Sequence, residues 1–379
     1  MTVRARVRCT TVFVFTLTAA STAKKSKSTT TEHMSFSHFL VKLNDDKTNT
    51  ELKDRDDLTA AVIACIKLSA VGNCGQGPHG PIGSWNVSQV TNMQNVFDST
   101  RFFNGDISKW DVSRVTNMVQ MFAGANLFNS DISKWDVSRL TNTGAMFSAA
   151  YSFNSDISNW DVSKVGNMAH MFHLASAFNS DISKWDVSQV IDMSYMFKSA
   201  KAFSGDISKW DVSRLTNTAA MFSAAYSFNS DVSKWNVSAV IKMASMFSET
   251  KSFNSDISKW DVSQVIDMSY MFKSAKAFSG DISKWDVTNV GEMTGMFTGA
   301  NSFNADISKW NVSAVVRPRH GLYFLANTPA FRQKFCSLPW ISFWDKNSKV
   351  KDVESRKEVD WMAVCTGLCA CIHVDPFVV

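Results

Sequence analysis

The sequence predicts an α/β repeat solenoid, with one short parallel strand and one short helix in each 25-residue unit, on three observations. Tryptophan recurs at 85, 110, 135, 160, 185, 210, 235, 260, 285 and 310, always 25 residues apart. Between tryptophans the apolar residues follow two periods, one of three to four residues and one of two. Residues 183–212 and 258–287 are identical at an offset of 75, so the array grew partly by copying three-unit blocks.

Taken in chain order, the first segment reads as an export leader. Arg4, Arg6 and Arg8 precede the apolar run Thr11 to Ala20, and Ser21, Thr22 and Ala23 offer small residues for cleavage, which predicts a signal peptide over 1–23. A basic tail or a transit peptide is the alternative. A polar linker over 24–56 and an N-terminal cap over 57–84 follow. The solenoid is expected over 85–316, as nine full units and a partial tenth, then a C-terminal cap over 317–345 and a tail of uncertain order over 346–379.

Net charge is +5, and removing three leader arginines leaves about +2, without the basic stripe of a nucleic-acid binder. No nucleic-acid partner is therefore expected. The leader is too short to span a bilayer. Trp361 to Val379 is broken by Gly367, His373, Asp375 and Pro376, so no membrane span is expected in the mature chain.

With each Trp as position 1, the unit reads W-[DN]-V-[ST]-x-[VL]-x-x-[MT]-x-x-M-F-x-x-A-x-x-F-[NS]-x-D-I-S-K. Val115, Met118, Met121, Phe122 and Ala125 have the spacing of one helix face, with Ser113 placed to cap its start. Ile107, Trp110 and Val112 suggest a half-buried strand, and Phe128, Asn129 and Asp131 a turn. One such unit cannot bury its own apolar face, and stacking removes the Trp, Val, Met, Phe and Ile side chains from water together.

The I-x-x-W-x-V spacing resembles the L-x-x-L-x-L of leucine-rich repeats. The whole unit, W-D-V-S-x-V-T-N-M-x-x-M-F-x-x-A-x-x-F-N-x-D-I, resembles the BspA-like surface-protein repeat of bacterial and mycoplasma-type lipoproteins and microbial eukaryotes over about 82–316. Phe324, Leu325 and Phe331 fit positions 12, 13 and 19 if three residues are inserted. The resemblance implies a leucine-rich-repeat-like, non-enzymatic protein, secreted or on the cell surface, that binds proteins or adheres.

A leucine-rich-repeat-like coil would display positions 25, 2 and 4 on its sheet face. They form a Lys column (Lys109 to Lys309), an Asp column (Asp111 to Asp286) and a Ser/Thr column. Uniform columns fit mutual neutralisation of charge better than recognition. Variation falls on the helix side, at positions 10, 11, 14, 15, 17 and 18, where Tyr151, Tyr195, Tyr226 and Tyr270 stand with Lys198, Lys201, Lys273 and Lys276. Tyrosine adds contact area at little entropic cost, which makes these residues the candidate binding surface for a protein or glycan.

Other motifs fit structural roles. Position-22 Asp (Asp106 to Asp306) and position-20 Asn suit turns or an Asn ladder better than calcium. Gly75 to Gly80 matches G-x-G-x-x-G, but Pro78 interrupts it. His170 and His173 have no third ligand in view and read as solvated polar residues. Asn86, Asn236 and Asn311 are N-x-S glycan acceptors if the chain enters a eukaryotic secretory route. Every Cys lies outside the repeats, and Cys65 with Cys74 is the expected cap disulfide in an exported chain. Cys365, Cys369, Cys371 and His373 have irregular spacing for zinc. No cofactor, metal or catalytic residue is assigned. The rival readings are a structural spacer or wall component without a specific ligand and an enzyme carried in 317–379.

Overall fold

The computed structural model describes residues 52–316 together with Thr328 and Ala330. The expected leader over 1–23, the linker before Leu52, nearly all of the cap expected over 317–345 and the tail over 346–379 lie outside the described residues.

The first element among the described residues is helix α1, Arg55–Leu68. Asp54 caps it, its carboxylate accepting the N–H groups of Asp56 and Asp57 and so satisfying two donors that have no partner inside the helix. Asp56 and Asp57 at the start and Lys67 at the end complement the helix dipole. Leu58, Ala61, Val62 and Cys65, three and four apart, form its buried face. The chain then bends at Gly72 (φ 92°), where an added Cβ would lie 2.6 Å from the Phe103 ring, so that only glycine fits. Cys65 and Cys74 are joined by a disulfide with 5.1 Å between Cα atoms. Gly75 to Gly80 is a run of turns closing on the first coil. The Gly80 carbonyl accepts Nε1 of Trp85 at 3.1 Å, and the His79 ring meets Trp85 edge-on. A 3-10 turn, Ile82–Ser84, leads into the array.

The array is a repeat solenoid, but its coils are not built of the expected strand and helix. The Ile107–Trp110–Val112 segment is two tight turns. Trp110 N donates to Ile107 O at 3.1 Å and Val115 N to Val112 O at 2.9 Å. An Asp-x-Ser pair closes each turn: Ser108 N donates to the Asp106 carboxylate at 3.0 Å and Ser113 N to that of Asp111 at 3.1 Å. Asp accepting from the residue two ahead stabilises a turn against a strand. Ser113 is thus engaged with Asp111, its hydroxyl at 2.6 Å, and caps no helix.

The segment expected to be helical carries instead the contacts between coils. Met121 N donates to Met118 O and Ala125 N to Phe122 O, closing two successive β-turns. Their third residues, positions 11 and 15, are left-handed in every full coil, for example Gln120 (φ 55°), Ala145 (53°) and Ala149 (56°). That conformation ends any helix. The N–H groups of Met118, Gln120, Phe122 and Gly124 turn outward and donate to Asn142, Gly144, Met146 and Ser148 of the next coil at 2.7–3.1 Å. Thr116 N donates backward to Thr91 O, and single parallel bridges link position 8 from Asn92↔Asn117 to Asp267↔Glu292. The pairing between coils therefore lies opposite to its expected place.

Inside, the apolar residues of each unit are buried in one continuous core, with Thr143, Thr218 and Thr250 buried in place of Met or Ala in three of the coils. Equivalent side chains lie over one another: Phe122 and Phe147 centroids are 5.6 Å apart, Phe128 and Phe153 6.0 Å, Trp135 and Trp160 6.5 Å. Within a coil, Phe122 stacks on Phe128 at 3.9 Å. Each array tryptophan from Trp110 onward sends Nε1 to an Ile or Val carbonyl one coil earlier, as Trp185 does to Ile157 at 3.1 Å. The indole hydrogen is thereby satisfied at full burial. At the far end, Thr328 donates its hydroxyl to Phe297 O, as Thr250 does to Phe222 O. The sequence separations are 31 and 28, so Thr328 takes the place of position 16 with three extra residues between.

Candidate functional site

Around each coil, chemical variety is greatest over one arc, although position 5 (Gln89, Arg114, Lys164, Ala239) and position 8 (Asn167, Asp192, Lys242, Glu292) vary as well, and the hydrogen bonding accounts for the arc. Over positions 7–15 the coils are joined by backbone groups, which any residue but proline supplies, so the outward side chains at 10, 11, 14 and 15 are free to differ. Positions 17 and 18 continue the same arc. Over positions 19–25 and 1–4 side chains carry the bonds, and the sequence is fixed. Asn129 N donates to Oδ1 of Asn104 at 2.8 Å, Asn154 N to Asn129 at 2.7 Å and Asn179 N to Asn154 at 2.8 Å, an Asn ladder through position 20.

The structure brings three of the four candidate tyrosines into contact with lysines. Lys198 Nζ lies 5.1 Å from the Tyr195 ring centre and Lys273 Nζ 5.5 Å from that of Tyr270, the two pairs occupying identical places three coils apart. Tyr226 sits between Lys201 at 5.8 Å and Lys251 at 4.2 Å, its neighbours in the position-17 column. Such contacts hold an otherwise mobile ammonium group over a ring. Lys251 was not among the residues singled out by sequence. It is recognisable as the residue 25 after Tyr226 in the same column. Lys276 is exposed without a ring contact, and Tyr151, 46% exposed, stands two coils before Lys201.

His170 and His173 are half-buried and share no helix, contrary to the reading of them as solvated. His170 stacks on Tyr195 at 4.5 Å, and His173 Nδ1 lies 3.3 Å from Ser148 Oγ. Burial, and secondarily the charges of His170 and Lys198, push the His173 pKa down to about 4. Burial also lowers that of His170, against the pull of Asp192.

The uniform columns are occupied structurally. The Asp106 carboxyl is held below its ordinary range by the hydroxyl and N–H of Ser108, and that of Asp161 by the same groups of Ser163. The position-25 lysines and position-2 carboxylates form no ion pairs among the described residues; Arg55–Asp56 in α1 does. The expected mutual neutralisation gives way to Asp–Ser turns, because a carboxylate two residues before an N–H is nearer that donor than any ammonium group. Asn86 and Asn236 are exposed and Asn311 half-buried, and each side-chain carbonyl accepts from the Ser two residues on. Cys65 and Cys74 pin the cap rather than any site. Among the described residues no group of three His, Cys, Asp or Glu side chains is placed to hold a metal, and no helix is long and apolar enough to cross a membrane. Cys365, Cys369, Cys371 and His373 lie outside the described residues.

Compared with known proteins, the chain matches a family described as "Mycoplasma protein of unknown function, DUF285" three times in tandem, over residues 69–178, 153–257 and 229–340. No curated protein matches. Among solved structures, similarity is found to a TLR13–ssRNA13 complex, at 11% identity and TM-score 0.24, covering 65% of this chain and 40% of that one. A Toll–Spätzle complex of Drosophila is similar at 9% identity and TM-score 0.21, over 64% and 35%. A leucine-rich-repeat protein of Leptospira interrogans is similar at 5% identity and TM-score 0.19, over 57% and 68%. This chain thus spans less than half the length of the first two.

Proposed function

Because the chain belongs to the DUF285 family, whose repeats fill residues 69–340, we propose that it is a non-enzymatic binding scaffold that presents its variable arc to a protein or glycan. The observation that carries the reading is the placement of Tyr195, Tyr226 and Tyr270, with their lysines, on the arc where backbone groups carry most of the joints between coils and side chains add only scattered ones, such as Asn126 to Ala149 O. Buried columns and Asp–Ser turns hold most other positions constant, so that arc, with the variable positions 5, 7 and 8, is where selection for a ligand can act.

Export to the surface is part of the reading. The BspA-like surface-repeat resemblance, the leader pattern over 1–23 and the Cys65–Cys74 disulfide support it, since such bonds persist in oxidising compartments. The rival is a spacer, favoured by the interchangeability of the identical blocks 183–212 and 258–287. The two differ in what surface mutation does. Beads carrying the full chain should adhere to cells, and replacing Tyr151, Tyr195, Tyr226 and Tyr270 by Ala should abolish adhesion while the array stays folded, its unfolding temperature lowered only by the loss of contacts such as the His170–Tyr195 stack. Adhesion that survives these replacements and depends only on array length would establish the spacer instead.

A further inference from the structure

The charge of the variable arc is not evenly distributed. In the coils from Trp185 to Lys284 its six positions hold five lysines against the single carboxylate Glu249, whereas in the coils from Trp85 to Lys184 Arg101 is offset by Asp98. The positive stretch holds the same triad twice, Tyr195–Lys198–Lys201 and Tyr270–Lys273–Lys276, within the identical blocks. With coils about 4.8 Å apart, the two triads lie roughly 14 Å apart along the array. Tyr226 and Lys251 lie on the coils between them.

We propose that this strip binds a linear acidic polysaccharide, carboxylated or sulfated, laid along the solenoid axis across both triads. The inference rests on the scaffold reading and names its ligand class. Four of the five lysines, Lys198, Lys201, Lys251 and Lys273, are held over tyrosine rings and form a row of fixed positive charge with part of their ordering cost already met. Stacking on nucleic-acid bases needs free ring faces. Here the Tyr195 ring is stacked on His170 and covered by Lys198, and Tyr226 is flanked by two lysines. The residues between the triad members include the small Ser199, Ala202, Ser274 and Ala277, leaving hydroxyls for a sugar. The described cavities are elsewhere, one beside the cap at Val71 and Phe102 and one at Ser279 to Asp306. Two identical subsites also suit a repeating polymer, which gains by engaging both.

The test is titration of the full chain with chondroitin sulfate and polygalacturonate, with neutral dextran, polyglutamate and a single-stranded oligonucleotide as comparators. Expected are binding of at least one acidic polysaccharide, loss of affinity with added salt, and a loss of at least tenfold when Lys198, Lys201, Lys273 and Lys276 become Ala. Removing the same number of charges from the uniform column, Lys209, Lys234, Lys259 and Lys284, should change affinity less than twofold. Equal losses in the two variants, comparable binding of polyglutamate or the oligonucleotide, or no binding of either polysaccharide would each overturn the proposal. If polysaccharide binding fails while the tyrosine replacements still abolish adhesion, the scaffold reading stands and only this ligand class falls.

Discussion

Two arcs of the same coil enclose one core but join their neighbours by different means. Over positions 19–25 and 1–4 the joints are side chains: tryptophan Nε1 on a carbonyl one coil away, Asn Oδ1 on the next coil's Asn N–H, and Ser155 Oγ on Ser130 O. Over positions 7–15 they are peptide groups, as where Ala145 N donates to Ala169 O at 2.8 Å. The first arc hardly varies among the units, whereas in the second the outward side chains vary while the buried residues of positions 9, 12 and 13 recur. Repeat identity therefore reports how a bond is carried, as well as how deeply a residue is buried.

Proline tests that contrast most sharply. At position 11 the side chain is free but the backbone is not. Ala145→Pro removes an inter-coil donor and demands φ near −65° where the native value is 53°, so it should cost roughly 4 kcal/mol, seen as a large fall in unfolding temperature. A neutral outcome would show that the backbone joints are dispensable.

Trp185→Phe probes the opposite arc. It keeps an aromatic ring in the column but leaves the Ile157 carbonyl without its indole donor, at about 1–3 kcal/mol in denaturant unfolding. If the loss matches that of a simple reduction in volume, the tryptophan column is fixed by packing alone.

The Asp–Ser turns should make the uniform arc sensitive to acid. The position-22 carboxyls, Asp106, Asp156 and Asp206 among them, are lowered by hydrogen bonds from Ser. A lowered carboxyl contributes stability above its unfolded value, near 3.9, and loses it as pH falls through the folded value. Unfolding temperature should hold above about pH 5 and drop below about pH 4. Replacing Asp156, Asp181 and Asp206 by Asn, which keeps an acceptor, should flatten that drop.

The smallest effect is a gain. Ala149 has φ 56°, a conformation that strains any residue with a Cβ. Ala149→Gly should stabilise the array by about 0.5–1 kcal/mol, the relief of strain exceeding the added chain entropy of glycine. Thermal unfolding reads this directly, and a loss of stability would mean that the methyl packs better than its half-burial implies.

Period, core composition and stacking register are all legible in the amino acids, because a 25-residue recurrence of Trp, Val, Met, Phe and Ile can be buried only by superposing units. The sequence also carried evidence against its own strand and helix. The pairs Asp106–Ser108 and Asp111–Ser113 are turn signatures, and Asn95, Gly124, Gly295 and Gly299 stand at left-handed positions. Spacings of three and four suit a run of β-turns as well as a helix, since both return a side chain to one face, so periodicity alone does not choose between them. Only the tertiary structure chose, because the N–H of position 11 or 15 finds its acceptor in the next coil. A backbone hydrogen bond across coils leaves no trace in the local pattern of either one.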